Sequence, residues 1–228
     1  MSPGMEASKG MQTSKKTVTL VLGGAQSGKS YYAQQLVSDF ERVTFIATGR
    51  RTDAEMQQKI ARHRRERPIA WRTVEAPLSL HRTIRSESRE ADALLIDCLT
   101  IYVANVMGAR SESKSNPKKY IDAVCEAILA SKACVVAVSN EVGSGVVPAY
   151  RSGRIYRDFL GQMNQKIAQI ADRVVLMVAG LPVTLKDSRI GREKGAAGLV
   201  SAATHESTES ESANGGRKTH LGSREIFK

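Results

Sequence analysis

No feature of this sequence constrains its fold more than residues 23–30, Gly23-Gly24-Ala25-Gln26-Ser27-Gly28-Lys29-Ser30, which directly follow an apolar run at 17–22. The spacing Gly-x-x-x-x-Gly-Lys-Ser is that of a phosphate-binding loop at the end of a buried strand. Glycines at both ends let successive backbone N–H groups turn toward phosphate oxygens. The pattern predicts a strand, a loop and a helix in that order, with Lys29 at the β- and γ-phosphates and the Ser30 hydroxyl on Mg²⁺.

The residues after the loop support this prediction, because Ala33, Leu36, Val37 and Phe40 recur at helical spacing. A helix beginning at the loop would direct its N-terminus at the same anion. The alternative, a glycine-rich turn that matches by chance, does not account for strand, loop and helix in the right order. We therefore expect the chain to bind a nucleoside triphosphate.

Short aliphatic runs alternate with amphipathic ones along the chain. The predicted strands are 17–22, 43–47, 70–74, 93–97, 134–139 and 173–178, and the predicted helices are 29–40, 53–66, 77–89, 99–107, 119–131 and 152–171. This alternation indicates an α/β fold like that of the P-loop NTPases, with a mostly parallel sheet and helices on both faces. Residues 108–118 break the pattern and are predicted to form an exposed loop.

Composition predicts one folded domain at 17–186, a disordered leader at 1–16 and a disordered low-complexity tail at 187–228. No apolar run is long enough to span a membrane. Three cysteines without metal-type spacing fit a reducing compartment, so we expect a cytoplasmic protein.

The formal net charge of +11 raises the possibility of nucleic-acid binding. The arginines, however, cluster at 50–72 and 151–157, and aromatic residues make up only 5% of the chain. Local basic clusters near a phosphate loop fit a triphosphate and a phosphorylated substrate equally well. We expect no nucleic-acid partner, and a nucleotide-dependent nucleic-acid-binding protein is the weaker alternative.

Two further positions carry candidate chemistry. Asp97 ends the apolar run 93–96, where a carboxylate would lie near Mg²⁺ held by the loop serine, although an acid there also caps a helix. His63 lies among arginines at the edge of an apolar helical stripe. Nearby positive charge disfavours the protonated imidazole, so His63 is either a packing residue or a neutral nucleophile toward phosphorus. The residues alone leave both choices open.

Residues 139–148 follow a predicted strand and form either a substrate loop, with Asn140 and Glu141 as polar anchors, or a structural turn. An Asn-Lys-x-Asp element, which reads guanine in switch GTPases, does not occur at this position.

Together these blocks resemble the adenosylcobinamide kinase/adenosylcobinamide-phosphate guanylyltransferase family of cobalamin biosynthesis. The resemblance runs from about Thr17 to Lys186. Its blocks are GGAQSGKS at 23–30, IATG at 46–49, RHRRERP at 62–68, WRTVE at 71–75, LLIDCLT at 94–100, NEVGSGVVP at 140–148, RIYRDFLGQMNQ at 154–165 and AGLPVTLK at 179–186.

The resemblance implies a bifunctional enzyme, both a phosphotransferase and a nucleotidyltransferase. Such an enzyme phosphorylates adenosylcobinamide with ATP or GTP, then transfers GMP from GTP to adenosylcobinamide-phosphate through a guanylylated histidine, releasing pyrophosphate. The matching histidine here is His63, with Lys29 as the second catalytic residue. The implied nucleotide contacts are Gly23, Gly24, Ala25, Gln26, Ser27, Gly28, Lys29, Ser30, Ala47, Thr48, Gly49, Arg64, Arg65, Glu66, Arg67, Glu75 and Asp97.

Two positions depart from the family pattern. Some members have two adjacent histidines where this chain has Arg62 and His63, and some have Glu at the position of Asp97. The partner of Asp97, Mg²⁺ or the nucleotide sugar, therefore stays open. Many members are homo-oligomers, which we expect here too. The alternative function is a monofunctional P-loop small-molecule kinase.

Overall fold

The computed structural model describes residues 16–50, 57, 67–109 and 117–188. The strands are β1 (Val18–Gly23), β2 (Val43–Ala47), β3 (Arg72–Glu75), β4 (Ala93–Asp97), β5 (Cys134–Asn140), β6 (Arg173–Val178) and β7 (Leu181–Asp187). The helices are α1 (Lys29–Val37), α2 (Leu80–Glu87), α3 (Leu99–Ala109), α4 (Pro117–Ala130) and α5 (Arg151–Ile170). Gln57, described alone within its segment, is also helical.

The strands form one seven-stranded sheet in the order β3-β2-β4-β5-β1-β6-β7. Strands β1 to β6 are parallel, and β7 returns antiparallel to β6. Because parallel strands share a direction, their carboxyl ends lie along one edge of the sheet, which is where ligands bind in such folds. The predicted mostly parallel α/β sheet is confirmed.

Both faces of the sheet are covered, as predicted. One face packs its apolar side chains against α2, α3, α4 and α5 around Leu94, Leu99 and Met163. The other packs against α1, whose Ala33 and Val37 are fully buried against residues that include Val21. Strands β1 and β4 are apolar along most of their length because both faces are buried, as expected for a central parallel strand.

The structure differs from the sequence predictions at several boundaries. Helix α1 ends at Val37 instead of residue 40, and β3 begins at Arg72 instead of residue 70. Strand β7 was not predicted at all. Helices α3 and α4 extend into both ends of the predicted loop 108–118, and 110–116 lie outside the described residues.

Several sequence predictions concern segments that the structure does not describe. These are the leader (except Lys16), most of the helix predicted at 53–66, and the tail beyond Ser188. The domain limits therefore stay a prediction. Within the described ranges, no helix combines the length and apolar character required to cross a membrane.

Candidate active site

The phosphate loop leaves β1 at Gly23 and enters α1 at Lys29, as predicted. Two of its residues have left-handed backbone angles, Gln26 with φ 54° and Gly28 with φ 87°. A positive φ favours glycine, which explains the second glycine of the pattern. The first backbone hydrogen bond of the helix runs from Tyr32 N to Gly28 O at 3.0 Å, so the loop passes directly into the helix.

The first glycine of the pattern is required by packing. A Cβ at Gly23 would lie 2.4 Å from Ser27 Oγ and 2.8 Å from the carbonyl oxygen of Met177. The loop therefore folds back over the end of β1 and against β6, its neighbour in the sheet. Gly24 has no atom within 4 Å of the equivalent position, so only Gly23 is sterically constrained at this end of the loop.

Lys29 spans the loop that precedes it, and its Nζ donates to the carbonyl oxygen of Gly24 at 2.7 Å. Lys29 and Ser30 occupy the first turn of α1 and are partly exposed. The backbone N–H groups at a helix N-terminus and the positive end of the helix dipole favour an anion. The geometry thus supplies a cation, a hydroxyl and backbone donors around one site.

The turn between β6 and β7 supports the loop from the other side. Gly180 N donates to Ser27 O at 3.2 Å, and a Cβ at Gly28 would lie 3.4 Å from Gly180 Cα. Gly180 itself has φ 82°. Sequence reasoning missed this contact because nothing near residue 180 indicated that the chain returns to a loop 150 residues earlier.

Asp97 lies at the carboxyl end of β4, partly buried, next to Ala47 at the end of β2. Thr48, which is fully buried, joins the two strand ends. Its N–H donates to Asp97 O at 3.3 Å, and its hydroxyl donates to Cys98 O at 2.7 Å and accepts from Cys98 N at 2.9 Å. The peptide bond between Asp97 and Cys98 is cis. Two predicted nucleotide contacts, Thr48 after β2 and Asp97 at the end of β4, therefore lie next to each other.

Cys98, which follows Asp97 in the chain, carries a buried thiol that could in principle act as a nucleophile. Burial, and then the negative charge of Asp97, raise its pKa to about 11. At neutral pH the side chain is therefore a protonated, buried thiol, and the thiolate is the nucleophilic form. This environment disfavours the reactive thiolate of Cys98 at neutral pH.

Strand order sets the spacing of the predicted contacts along the sheet edge. Neighbouring strands are about 4.8 Å apart, so β4 lies roughly 10 Å, β2 roughly 14 Å and β3 roughly 19 Å from β1. Glu75, exposed at the end of β3, pairs in register with Ala47. Two of the predicted contacts that the structure describes are acidic. Asp97, at the end of β4, lies two strands from the phosphate loop, whereas Glu75, at the end of β3, lies four strands from it.

Arg67 lies against the sheet, with its guanidinium carbon 3.4 Å from the ring centroid of Phe45 on β2, a cation–π arrangement. The remaining predicted residues of this segment, His63, Arg64, Arg65 and Glu66, lie outside the described residues. Their roles stay predictions.

A buried polar network fixes the loop after β5 beside the phosphate loop. Ser139 Oγ donates to Asn164 Oδ1 at 2.7 Å, and Asn164 Nδ2 donates to Asn140 O at 3.0 Å. Asn140 N in turn donates to Thr100 Oγ1 at 2.7 Å. Asn140 pairs in register with Gly23, and the next N–H, that of Glu141, donates to Gly23 O at 3.2 Å.

Sequence reasoning identified Asn140 and Glu141 but missed Thr100 and Asn164, which hold them. The only available signal was a polar residue at a position where helical periodicity predicts an apolar one. Asn164 is such a residue, buried on the sheet-facing side of α5. Its two partners, Ser139 and Asn140, lie on β5, and Asn140 N donates to Thr100 on α3, so the network joins three elements at the site.

Comparison with known proteins assigns the family. The family described as cobinamide kinase/cobinamide phosphate guanyltransferase matches residues 19–185. The bifunctional adenosylcobalamin biosynthesis protein CobP of Pseudomonas aeruginosa is 41% identical over 168 residues, which cover 73% of this chain and 96% of that protein. The proteins named CobU of Salmonella typhimurium and Escherichia coli are each 38% identical, and the matches cover 73% of this chain and 98% of each relative. The chain therefore belongs to the cobinamide kinase/cobinamide phosphate guanyltransferase family.

Proposed function

We propose that this protein phosphorylates adenosylcobinamide and then converts the product to adenosylcobinamide-GDP with GTP. One observation carries the proposal: a complete phosphate loop, with Gly23 and Gly28 in the geometry that the pattern requires, lies within a family match that spans nearly all of each relative. The names of those relatives describe bifunctional proteins of adenosylcobalamin biosynthesis.

In the kinase step, the substrate hydroxyl oxygen attacks the γ-phosphorus of ATP or GTP. The bond from that phosphorus to the bridging oxygen breaks, the nucleoside diphosphate leaves, and the hydroxyl proton passes to a base or water. The protein's contribution is positioning and charge stabilisation. Lys29 and the N-terminus of α1 are placed to stabilise the phosphate charge.

In the guanylyl step, a nitrogen of His63 attacks the α-phosphorus of GTP and pyrophosphate leaves, forming a phosphorus–nitrogen bond. An oxygen of adenosylcobinamide-phosphate then attacks the same phosphorus and releases the histidine. We assign Arg64, Arg65 and Arg67 to the charge on the transferring group. Support for a histidine nucleophile comes from the family match.

The donor set fits Mg²⁺. A hydroxyl at Ser30 and a carboxylate at Asp97 are the hard oxygen ligands that this ion prefers, and Mg²⁺ in such sites takes one or two protein ligands plus phosphates and water. Among the described residues, no group of three or more His, Cys, Asp or Glu side chains could hold a metal. When bound, the ion would neutralise phosphate charge, with Ser30 and Asp97 as its protein ligands.

The experiment that tests this function is incubation of the protein with GTP labelled at the α-phosphate. We expect protein-bound label that is lost in acid but survives hydroxylamine, as a phosphorus–nitrogen bond requires. His63→Ala should abolish it, whereas His81→Ala, which removes a partly buried histidine in the first turn of α2, should retain it. Lys29→Met should abolish both the label and phosphorylation of adenosylcobinamide.

Two results would contradict the assignment. Absence of label on the wild-type protein under conditions where it releases pyrophosphate would exclude the covalent histidine. Phosphorylation of adenosylcobinamide without any guanylyl transfer would make the protein a monofunctional kinase. Oligonucleotide-stimulated hydrolysis of the triphosphate would instead support the nucleic-acid alternative.

We also propose that the protein is a homo-oligomer that works in the cytoplasm. The strand β7 supports association, because it is an edge strand of the described sheet and exposes Leu181, Val183 and Leu185. The three cysteines, which are free and buried, fit a reducing compartment. Light scattering of the purified protein measures the mass directly.

A further inference from the structure

The loop between β5 and α5, which leaves β5 beside the phosphate loop, exposes apolar side chains. Val146 is 95% exposed, Val147 58% and Tyr150 82%. Isolated exposed apolar residues are ordinary, but a cluster beside a ligand site marks an interaction surface. We call Val146, Val147 and Tyr150 the apolar platform.

The platform is held outward by hydrogen bonds and packing. Arg154 Nη1 donates to the carbonyl oxygens of Pro148 at 3.0 Å and Ala149 at 2.6 Å. Pro148 packs so closely on the first turn of α5 that a Cβ at Gly153 would lie 2.8 Å from its Cβ. Tyr150 is the N-cap residue of α5, yet its side chain makes no capping hydrogen bond. These contacts fix the backbone and leave the three side chains available to a ligand.

The loop that carries the platform begins at the phosphate site. Its loop starts from Asn140, which pairs with Gly23 and whose backbone is held on both sides by Thr100 and Asn164. Val146 is six positions after Asn140, so their Cα atoms lie at most about 22 Å apart. A large ligand whose reactive end is at the phosphate loop therefore has the platform within its span.

We propose that the apolar platform binds the corrin macrocycle of the substrate while the arm that carries the hydroxyl or phosphate reaches the phosphate loop. The inference rests on the proposed function. The ring is far too large to enter a loop closed by backbone contacts at Gly23 and Gly28. It must lie on protein surface beside the loop, and its methyl-bearing rim and conjugated plane suit valine and tyrosine side chains.

The test separates the corrinoid from the nucleotide. In the variant Val146→Ser/Val147→Ser, we expect the Kd for cobinamide, measured by calorimetry, and the KM for the corrinoid to rise on the order of tenfold or more. The KM for GTP and the labelling of the protein by GTP alone should not change. Tyr150→Phe should bind cobinamide like the wild type, and Tyr150→Ser should bind it more weakly.

Leu129→Ser is the matched control, because Leu129 is 54% exposed and precedes β5 at the opposite edge of the sheet. It should change neither constant. Unchanged cobinamide binding in the double valine variant would overturn the inference. A change in mass by light scattering with unchanged cobinamide binding would likewise overturn it and identify the platform as a contact between subunits. Failure of the wild-type protein to act on any corrinoid would instead refute the proposed function.

Discussion

The sharpest structural prediction concerns the first glycine of the phosphate loop. In Gly23→Ala, the new methyl group would lie 2.4 Å from Ser27 Oγ, 2.8 Å from Met177 O and 3.1 Å from Met177 Cβ. The serine hydroxyl can rotate away. The Met177 carbonyl cannot, because it belongs to the backbone of β6, which is paired with β1. The strand end or the loop must therefore shift.

Overpacking of this kind costs about 1–3 kcal/mol. For a domain of this size each kcal/mol lowers the melting temperature by about 2–4 °C, so we expect a decrease of roughly 2–12 °C. The displaced loop should also bind nucleotide more weakly, since its backbone N–H groups no longer converge on the phosphates. Thermal unfolding without nucleotide and titration with a fluorescent GTP analogue measure the two effects.

Gly24→Ala is the matched control. It adds the same methyl group one residue later, where no atom lies within 4 Å and φ is not positive. Its melting temperature should be unchanged or slightly higher, because alanine reduces the entropy of the unfolded chain. The double variant Gly23→Ala/Ser27→Ala should recover only part of the loss, since Met177 O remains. Equal melting temperatures for Gly23→Ala and Gly24→Ala, or full recovery in the double variant, would refute this steric explanation.

Two further predictions concern the supports of the site and of the sheet. Asn164→Ala should lower the free energy of unfolding, measured in denaturant, by about 1–3 kcal/mol, because Ser139 Oγ loses its buried acceptor. The control Gln165→Ala, at an exposed neighbouring position, should lower it little. Equal effects of the two substitutions would contradict a stabilising role of the network. The hydrogen bond from Arg42, and then its backbone N–H and charge, hold the pKa of Asp92 below its usual range. A carboxyl with a lowered pKa stabilises the fold above its unfolded pKa and loses that contribution as the pH falls through the folded value. Asp92→Asn should therefore lower the melting temperature by about 1–3 °C at pH 7 and by less at pH 3, and a difference that grows in acid would contradict this sign.

Much of the sheet was predictable because the residue pattern of each central strand is enough to identify it. Central strands such as β1 and β4 are apolar on both faces and bounded by turn residues, so their limits were correct within a residue. Strand β3 was harder, because it is a mostly exposed edge strand with polar residues, and its predicted start was two residues early.

Strand β7 shows where local reasoning failed. Its side chains are nearly all exposed, and Pro182 within it argued against a strand. The structure places Pro182 on an edge strand, where proline is tolerated. The turn before it, with φ 50° at Ala179 and 82° at Gly180, has the geometry of a two-residue hairpin but lacks the usual Asn-Gly signal.

The candidate site also has a part that could be predicted from the sequence and a part that could not. The phosphate loop was predictable because the residues that form it are eight consecutive positions with a characteristic spacing. The contacts of Gly180 with Ser27 and of Asn164 with Ser139 were not, because they join segments that are distant in sequence and depend on strand order. A polar residue on an otherwise apolar helix face, such as Asn164, indicates a buried hydrogen bond, but the sequence does not show which residue is its partner.

Strand order also constrains how one protein performs both reactions. The chain between β2 and β3 carries His63, and these strands lie roughly 14 and 19 Å from β1 along the sheet edge. His63 is sixteen residues after Ala47 and nine before Arg72, so the extended chain could reach about 50 Å and 30 Å from those points. The covalent connections therefore allow the histidine to reach a triphosphate held by Lys29, across the ends of β4 and β5. Since Asp97 and Asn140 end those two strands, the nucleotide of the guanylyl step would pass over both. Under the proposed assignment of His63, a single phosphate loop would serve both reactions, with the acceptor approaching from the apolar platform.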